Sequence, residues 1–242
     1  MTVQADILKA IEGIEHGFQQ AGQALSERIF HCRQVHGAEI VDARSLSESG
    51  RHAADGVFSE GEGPLAVAVV TADCLPILMS SRDGRVVAAL HGGWQGLVAG
   101  IVGAAVARFN ARGVASVDIR VAIGPGIKAC CYEVSAGFIE ALQVGHGRLW
   151  EGTAPPWSQR RPLPERPPRF APPEPRQAEQ GAWLDLVAFC RQLFQAAGVG
   201  PAQIEASAIC TYCSGDAFAS HRRRQRLGEE KRQQYAWIAR KP

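Results

Sequence analysis

The chain alternates between continuous apolar runs and stretches with helical spacing. Residues 64–70 are uninterruptedly apolar and rich in Val and Ala, the pattern of a strand buried on both faces. Residues 76–80 and 85–91 predict two more strands, joined by a turn at Arg82-Asp83-Gly84. The period then changes. Leu97, Ile101, Val102, Ala105, Val106 and Phe109 recur at helical spacing, predicting a helix over 96–109 with Gly113 beyond its end. A strand follows at 117–123, running into Gly124-Pro125-Gly126. A second helix is expected over 186–197, capped by Asp185 and closed by Gly198. Residues 204–211 and 235–239 read as strands. The elements intermix without a regular βαβ repeat, so the expected class is α+β (mixed α/β) with mixed sheets.

One segment breaks the pattern. Nine of the 14 prolines fall within 155–175, among Arg160, Arg161, Glu165, Arg166 and Arg169. Proline at this density sustains neither a helix nor a central strand, so an extended surface excursion is expected. Neither flank looks complete alone. One domain over 1–242 is therefore expected, with a proline-rich insertion at about 152–181.

The 242 residues suffice for a core that needs no disulfide or metal staple. With 26 Lys+Arg against 24 Asp+Glu, no global field draws the chain to nucleic acid or an anionic membrane. No apolar stretch approaches the roughly 20 residues of a membrane span. Residues 1–18 lack a basic stretch followed by an apolar core, so no secretory signal is expected. A cytoplasmic setting with reduced thiols follows, and the odd count of seven cysteines excludes complete internal pairing.

Three segments each place a metal-ligand type beside or near glycine: Gln34-Val35-His36-Gly37, Thr71-Ala72-Asp73-Cys74 and His91-Gly92-Gly93-Trp94. Two imidazoles and a thiolate make a catalytic zinc set with a fourth position left open. The alternative is a core Cys74 with two structural histidines. Cys130 and Cys131 are adjacent, so one is expected in the core and the other toward a cavity. Cys210 and Cys213 form a C-x2-C, but two further ligands at comparable spacing are not evident, and simple packing ranks above a zinc or redox role. Cys190 falls on the apolar face of its helix. Residues 220–232 form a basic tail whose Arg222 and Arg223 suit bidentate capture of phosphate or carboxylate, a solvated charged face being the alternative. His16, His52 and His146 sit in loop-like contexts.

Together these segments resemble the YfiH-like laccase-domain family, also described as multicopper polyphenol oxidase, peptidoglycan editing factor or purine nucleoside phosphorylase. The resemblance is carried by Thr-Ala-Asp-Cys-Leu-Pro-Ile-Leu at 71–78, His-Gly-Gly-Trp at 91–94 and Ala-Ile-Gly-Pro-Gly-Ile-Lys-Ala-Cys-Cys-Tyr-Glu-Val at 122–134. It implies layered mixed sheets flanked by helices, and zinc held by His36, Cys74 and His91, with copper as the alternative metal. It implies catalytic roles for these three and Asp73, and substrate or phosphate contacts from Gln34, Trp94, Arg222 and Arg223. The implied reaction is phosphorolysis of adenosine, inosine, guanosine or methylthioadenosine, with adenosine deamination as a side activity. The implied partners are a purine nucleoside and phosphate, without nucleic acid or membrane, on a monomer or weak homodimer. Rival readings are a cysteine hydrolase or amidase using Cys74 and His91, a copper polyphenol oxidase, and a non-catalytic binding module. Three features depart from the family pattern: Gln95 stands where Arg is usual, the portion before Gln34 is short, and no Asp-Gly follows Arg223.

Overall fold

The computed structural model describes residues 2–25, 29–45, 48–60, 66–175 and 181–241. Chain order begins with α1 (Asp6–Lys9), β1 (Ile14–Phe18), β2 (Ile29–Phe30), β3 (Ile40–Asp42) and β4 (Gly56–Glu60). Then come β5 (Ala66–Thr71), β6 (Leu75–Ser81), β7 (Val86–Gly92), α2 (Trp94–Val98), α3 (Ile101–Asn110) and β8 (Ile119–Ile123). The second half holds β9 (Glu133–Ser135), α4 (Ala136–His146), β10 (Trp157–Ser158), β11 (Gly181–Leu184), α5 (Leu186–Ala196), β12 (Ile204–Ala206), α6 (His221–Leu227) and β13 (Gln234–Arg240).

Three sheets result: a six-stranded one ordered β12-β8-β6-β7-β4-β3, a four-stranded one ordered β1-β13-β5-β2, and a small one ordered β10-β11-β9. The large sheet is mixed, with β6 antiparallel to β7 and β8 while β12 runs parallel to β8. Its two faces lie in separate cores. Ile77, Met79, Ala88, Leu90, Val121 and Ile123 pack with α2, α3 and α5. Leu78, Val87, Ala89 and Ala122 point the other way, against Val67, Val69, Ala236 and Ile238 of the four-stranded sheet. This explains the uninterrupted apolar runs: alternate residues serve opposite cores, so neither set is polar. Leu75, Ile77, Leu78 and Met79 are fully buried, each burial contributing about 1.5–3 kcal/mol. The expected class, layered mixed sheets flanked by helices, is the one the chain adopts.

Several elements differ from expectation. The helix over 96–109 is two helices, because Gly100 takes a left-handed φ of 94° and redirects the chain into α3. The strand over 204–211 stops at Ala206. Beyond it Ser207 still donates its N–H to Ile123, but its carbonyl accepts from the Lys128 ammonium, which draws the chain off the sheet. The strand over 64–70 is described from Ala66 onward; Pro64 and Leu65 lie outside the described residues. The basic tail begins as helix α6, capped by the Ser220 hydroxyl on the Arg223 N–H. His16 sits on β1 rather than in a loop, and its Nε2 accepts the Ala5 N–H.

The proline-rich segment, described through Pro175, is irregular apart from β10 but is not a free excursion. Arg169 and Phe170 donate their N–H groups to the Cys213 carbonyl, and Arg226 reaches the Glu174 carbonyl. Among the described residues, no helix is long and apolar enough to cross a membrane.

Candidate active site

Asp55 organises one end of the large sheet. It precedes β4, is fully buried, and lies 36 residues before His91 in sequence. Its Oδ1 accepts the His91 Nδ1–H at 2.8 Å and the His36 N–H at 2.9 Å. Its Oδ2 accepts the N–H groups of Val35 at 3.1 Å and Gly37 at 2.7 Å. One carboxylate thus folds the 35–37 turn and sets the tautomer of His91, leaving Nε2 of that ring to face Cys74 and serve as its ligand atom. His36 takes a left-handed φ of 61° in this turn, a conformation uncommon outside glycine.

Ligand atoms of His36, Cys74 and His91 lie within 4.8 Å of one another. The imidazole centroids are 4.7 Å apart at 73°. Burial is graded, from His91 (3% exposed) through a partly buried Cys74 to an exposed His36. Glycine at 93 leaves little room: a Cβ there would come 3.1 Å from both Cys74 Sγ and His36 Cδ2, so one of them would have to give by a few tenths of an ångström. Burial opposes ionisation of the Cys74 thiol, yet hydrogen bonds from His36 and His91 bring its pKa down to about 7. Burial likewise disfavours the charged His91, but bonds to Asp55 and Cys74 raise it to about 9.

Asp73 forms the turn between β5 and β6 with a φ of 88°. Its buried carboxylate accepts the Thr211 hydroxyl and the Arg222 N–H, both at 2.6 Å, so it positions the start of α6. Burial raises its pKa, opposed by these same bonds.

His36, Asp73, Cys74 and His91 line one cavity of about 820 Å³, whose wall also includes Gln34, Trp94, Gln95, Tyr132 and Arg222. Gln34 exchanges two 2.7 Å hydrogen bonds with the Val70 backbone, so one donor and one acceptor of its amide pin the edge of β5. Trp94 is 39% exposed and stands edge-on to Phe138 at 5.0 Å. The Arg222 guanidinium lies 5.4 Å from the Tyr132 ring centroid and donates to the Glu133 carbonyl at 3.3 Å. Arg223 borders the same cavity. It is 2% exposed and donates to the Thr211, Tyr212 and Phe218 carbonyls and to Glu229, which commits its guanidinium to holding the 211–218 loop. Asp55 is the functional residue that sequence reasoning misses. Its only signal is an acid in an otherwise apolar context before β4.

A second cluster lies among the cysteines. Cys130, Cys131, Cys210 and Cys213 converge in the interior, against the expectation that the adjacent pair faces apart and that the C-x2-C lacks partners. Cys190 is buried on the apolar face of α5 as expected.

This fold is shared by a known family. The family described as multi-copper polyphenol oxidoreductase laccase matches residues 4–238, and the chain belongs to it. A Geobacillus stearothermophilus protein named purine nucleoside phosphorylase YlmD is 35% identical over 210 residues, covering 81% of this chain and 68% of that protein. A protein from an unknown prokaryotic organism named adenosine deaminase RL5 is 30% identical over 199 residues, covering 79% of this chain and 68% of its own. The crystal structure of YlmD from Geobacillus stearothermophilus superposes with a TM-score of 0.76 at 26% identity, covering 98% of this chain and 94% of that one. A Neisseria meningitidis protein, NMB0706, superposes at 0.73 over 100% of this chain and 99% of its own; at 22% identity it speaks to the fold alone.

Proposed function

We propose that this chain is a zinc-dependent purine nucleoside phosphorylase, converting a purine nucleoside and phosphate to free base and ribose 1-phosphate. The observation that carries the reading is the convergence of His36, Cys74 and His91 on a cavity of about 820 Å³ that also holds Arg222. The names of relatives 31–35% identical over the aligned residues support the same class.

The donor set fits one zinc ion: two imidazoles, one thiol already drawn toward ionisation, and an acid behind His91. When bound there, zinc supplies a Lewis acid with an open position for an oxygen ligand. The remaining work belongs to the chain. Arg222, held by Asp73 at its backbone and by Glu133 at its side chain, offers charge-assisted bonds to phosphate. Trp94, exposed at the cavity wall, offers a face to the purine. Gln34 keeps one amide N–H for the substrate while fixing β5. Deamination of adenosine at the same site is the side activity, and the deaminase name of one relative supports it.

A single specific observation favours a second reading. Asp55, His91 and Cys74 form an acid–imidazole–thiol series suited to a cysteine nucleophile. That scheme needs one imidazole, whereas two imidazoles converging on the same thiol complete a metal-ligand set, which favours the metal reading. A multicopper oxidase fits less well: among the described residues one cluster contains histidine, and it holds two.

Chromatography of inosine and adenosine incubated with purified protein, with and without phosphate, tests the proposal. Free base formed only with phosphate, and lost in Cys74→Ala or after chelation, is expected. Turnover that survives chelation would point to the cysteine hydrolase instead.

A further inference from the structure

The four buried thiols of Cys130, Cys131, Cys210 and Cys213 stand apart from the chemistry above. Their Sγ atoms are separated by 3.6 Å (Cys130–Cys131), 3.9 Å (Cys130–Cys213) and 3.3 Å (Cys131–Cys213), and all four lie within 4.8 Å of one another. A tetrahedral zinc ion with Zn–S distances of about 2.3 Å requires S···S edges of about 3.8 Å. Two disulfides would draw the sulfurs into separate pairs near 2.05 Å, which this near-equal set does not approach. Sulfurs no more than 4.8 Å apart surround one ion more closely than a cluster of irons allows. We infer that Cys130, Cys131, Cys210 and Cys213 form a second, structural zinc site with four protein ligands and no open position.

The surroundings suit this assignment. None of the four is more than 7% exposed, and Ile127, Tyr132 and Tyr212 close the apolar shell around them. Excess negative charge on a tetrathiolate needs donors nearby. The Cys213 N–H is directed to the Cys210 thiol, and the buried Lys128 ammonium lies close enough to feel the Cys210 charge. Adjacent cysteines can both serve because the turn at 128–131, closed by the Cys131 N–H on the Lys128 carbonyl, brings their sulfurs to one side.

The site would act as a clamp. It joins the 127–132 loop to the 210–213 loop, which are also tied by the Thr211 N–H to the Gly126 carbonyl. Thr211 holds Asp73, Tyr132 lies beside Arg222, and the Cys213 carbonyl anchors the proline-rich segment through Arg169 and Phe170. Metal binding at these four thiols does not rest on the reaction proposed at the His36, Cys74 and His91 site.

Elemental analysis of the full chain, loaded with zinc and dialysed, tests it together with spectra of the cobalt-substituted protein. About two zinc ions per chain are expected in the wild type and about one in Cys74→Ala. The cobalt form of Cys74→Ala should show the intense bands of a tetrahedral tetrathiolate site. Cys210→Ser/Cys213→Ser should lose that signature; if this variant does not fold, the Cys74→Ala spectrum decides alone. A folded Cys74→Ala protein without metal, or a Cys131–Cys213 disulfide in its peptide map, overturns the site. Iron retained in place of zinc overturns the identity of the ion.

Discussion

Asp55 accepts the Nδ1–H of His91 at 2.8 Å while its two oxygens also gather three backbone N–H groups of the turn that carries His36. One buried carboxylate therefore sets the His91 imidazole and the backbone turn that carries His36. Replacing it with Asn, which keeps the shape but loses the charge, is expected to lower zinc affinity roughly 10- to 100-fold. Competition against a chromogenic chelator measures this, and phosphorolysis should fall in parallel. Unchanged affinity would show that His91 holds its orientation without the acid.

Gly93 meets the site by having no side chain. In Gly93→Ala the new Cβ, 3.1 Å from Cys74 Sγ and His36 Cδ2, must displace one of them. His36 is the exposed and movable partner, so metal affinity is expected to suffer more than stability, which should drop by about 1–3 kcal/mol. Chelator competition and denaturant unfolding on the same preparation separate the two effects.

The Cys74–His91 pair predicts opposite pH trends in metal-stripped protein. His91, raised from 6.5 to about 9, contributes stability fully below pH 6.5 and loses it as pH rises through about 9. Cys74, lowered from 9.0 to about 7, contributes above pH 9 and loses that contribution as pH falls through about 7. Between about 7 and 9 one gain offsets the other, so stripped wild type should change little. Cys74→Ala removes one side while Asp55 still raises His91, and its stability should decline with rising pH. Unfolding midpoints at several pH values check this; a decline of equal steepness in both proteins contradicts the pairing.

Arg222 and Arg223 are neighbours with separable roles. Arg223→Ala leaves three carbonyls and Glu229 without their cation and should cost about 3–5 kcal/mol of stability. Arg222→Ala should cost less than about 1 kcal/mol while raising the KM for phosphate roughly ten- to hundredfold. Urea unfolding and phosphate titration of each variant give the comparison. A destabilised Arg222→Ala with normal KM would reverse the assignment.

The sequence alone determined whatever depends on neighbours along the chain. Strands β6 and β7 were legible because both of their faces are buried, and α5 because Asp185 caps the Ala188 N–H ahead of an apolar stripe. The motifs around His36, Cys74 and His91 marked the candidate ligands and the family. Elements with weak periodicity were not legible: β1 and α6 are short, and α4, though as long as α5, buries Leu142 alone and so shows no apolar stripe. Tertiary structure alone decided the through-space partners. The Asp55–His91 bond spans 36 residues and the Cys131–Cys213 contact 82, distances over which spacing carries no information. It also separated Arg222, whose guanidinium stands by Tyr132 and the Glu133 carbonyl, from Arg223, whose guanidinium is enclosed by three other carbonyls although both residues border the cavity, because one turn of α6 sends adjacent side chains in different directions.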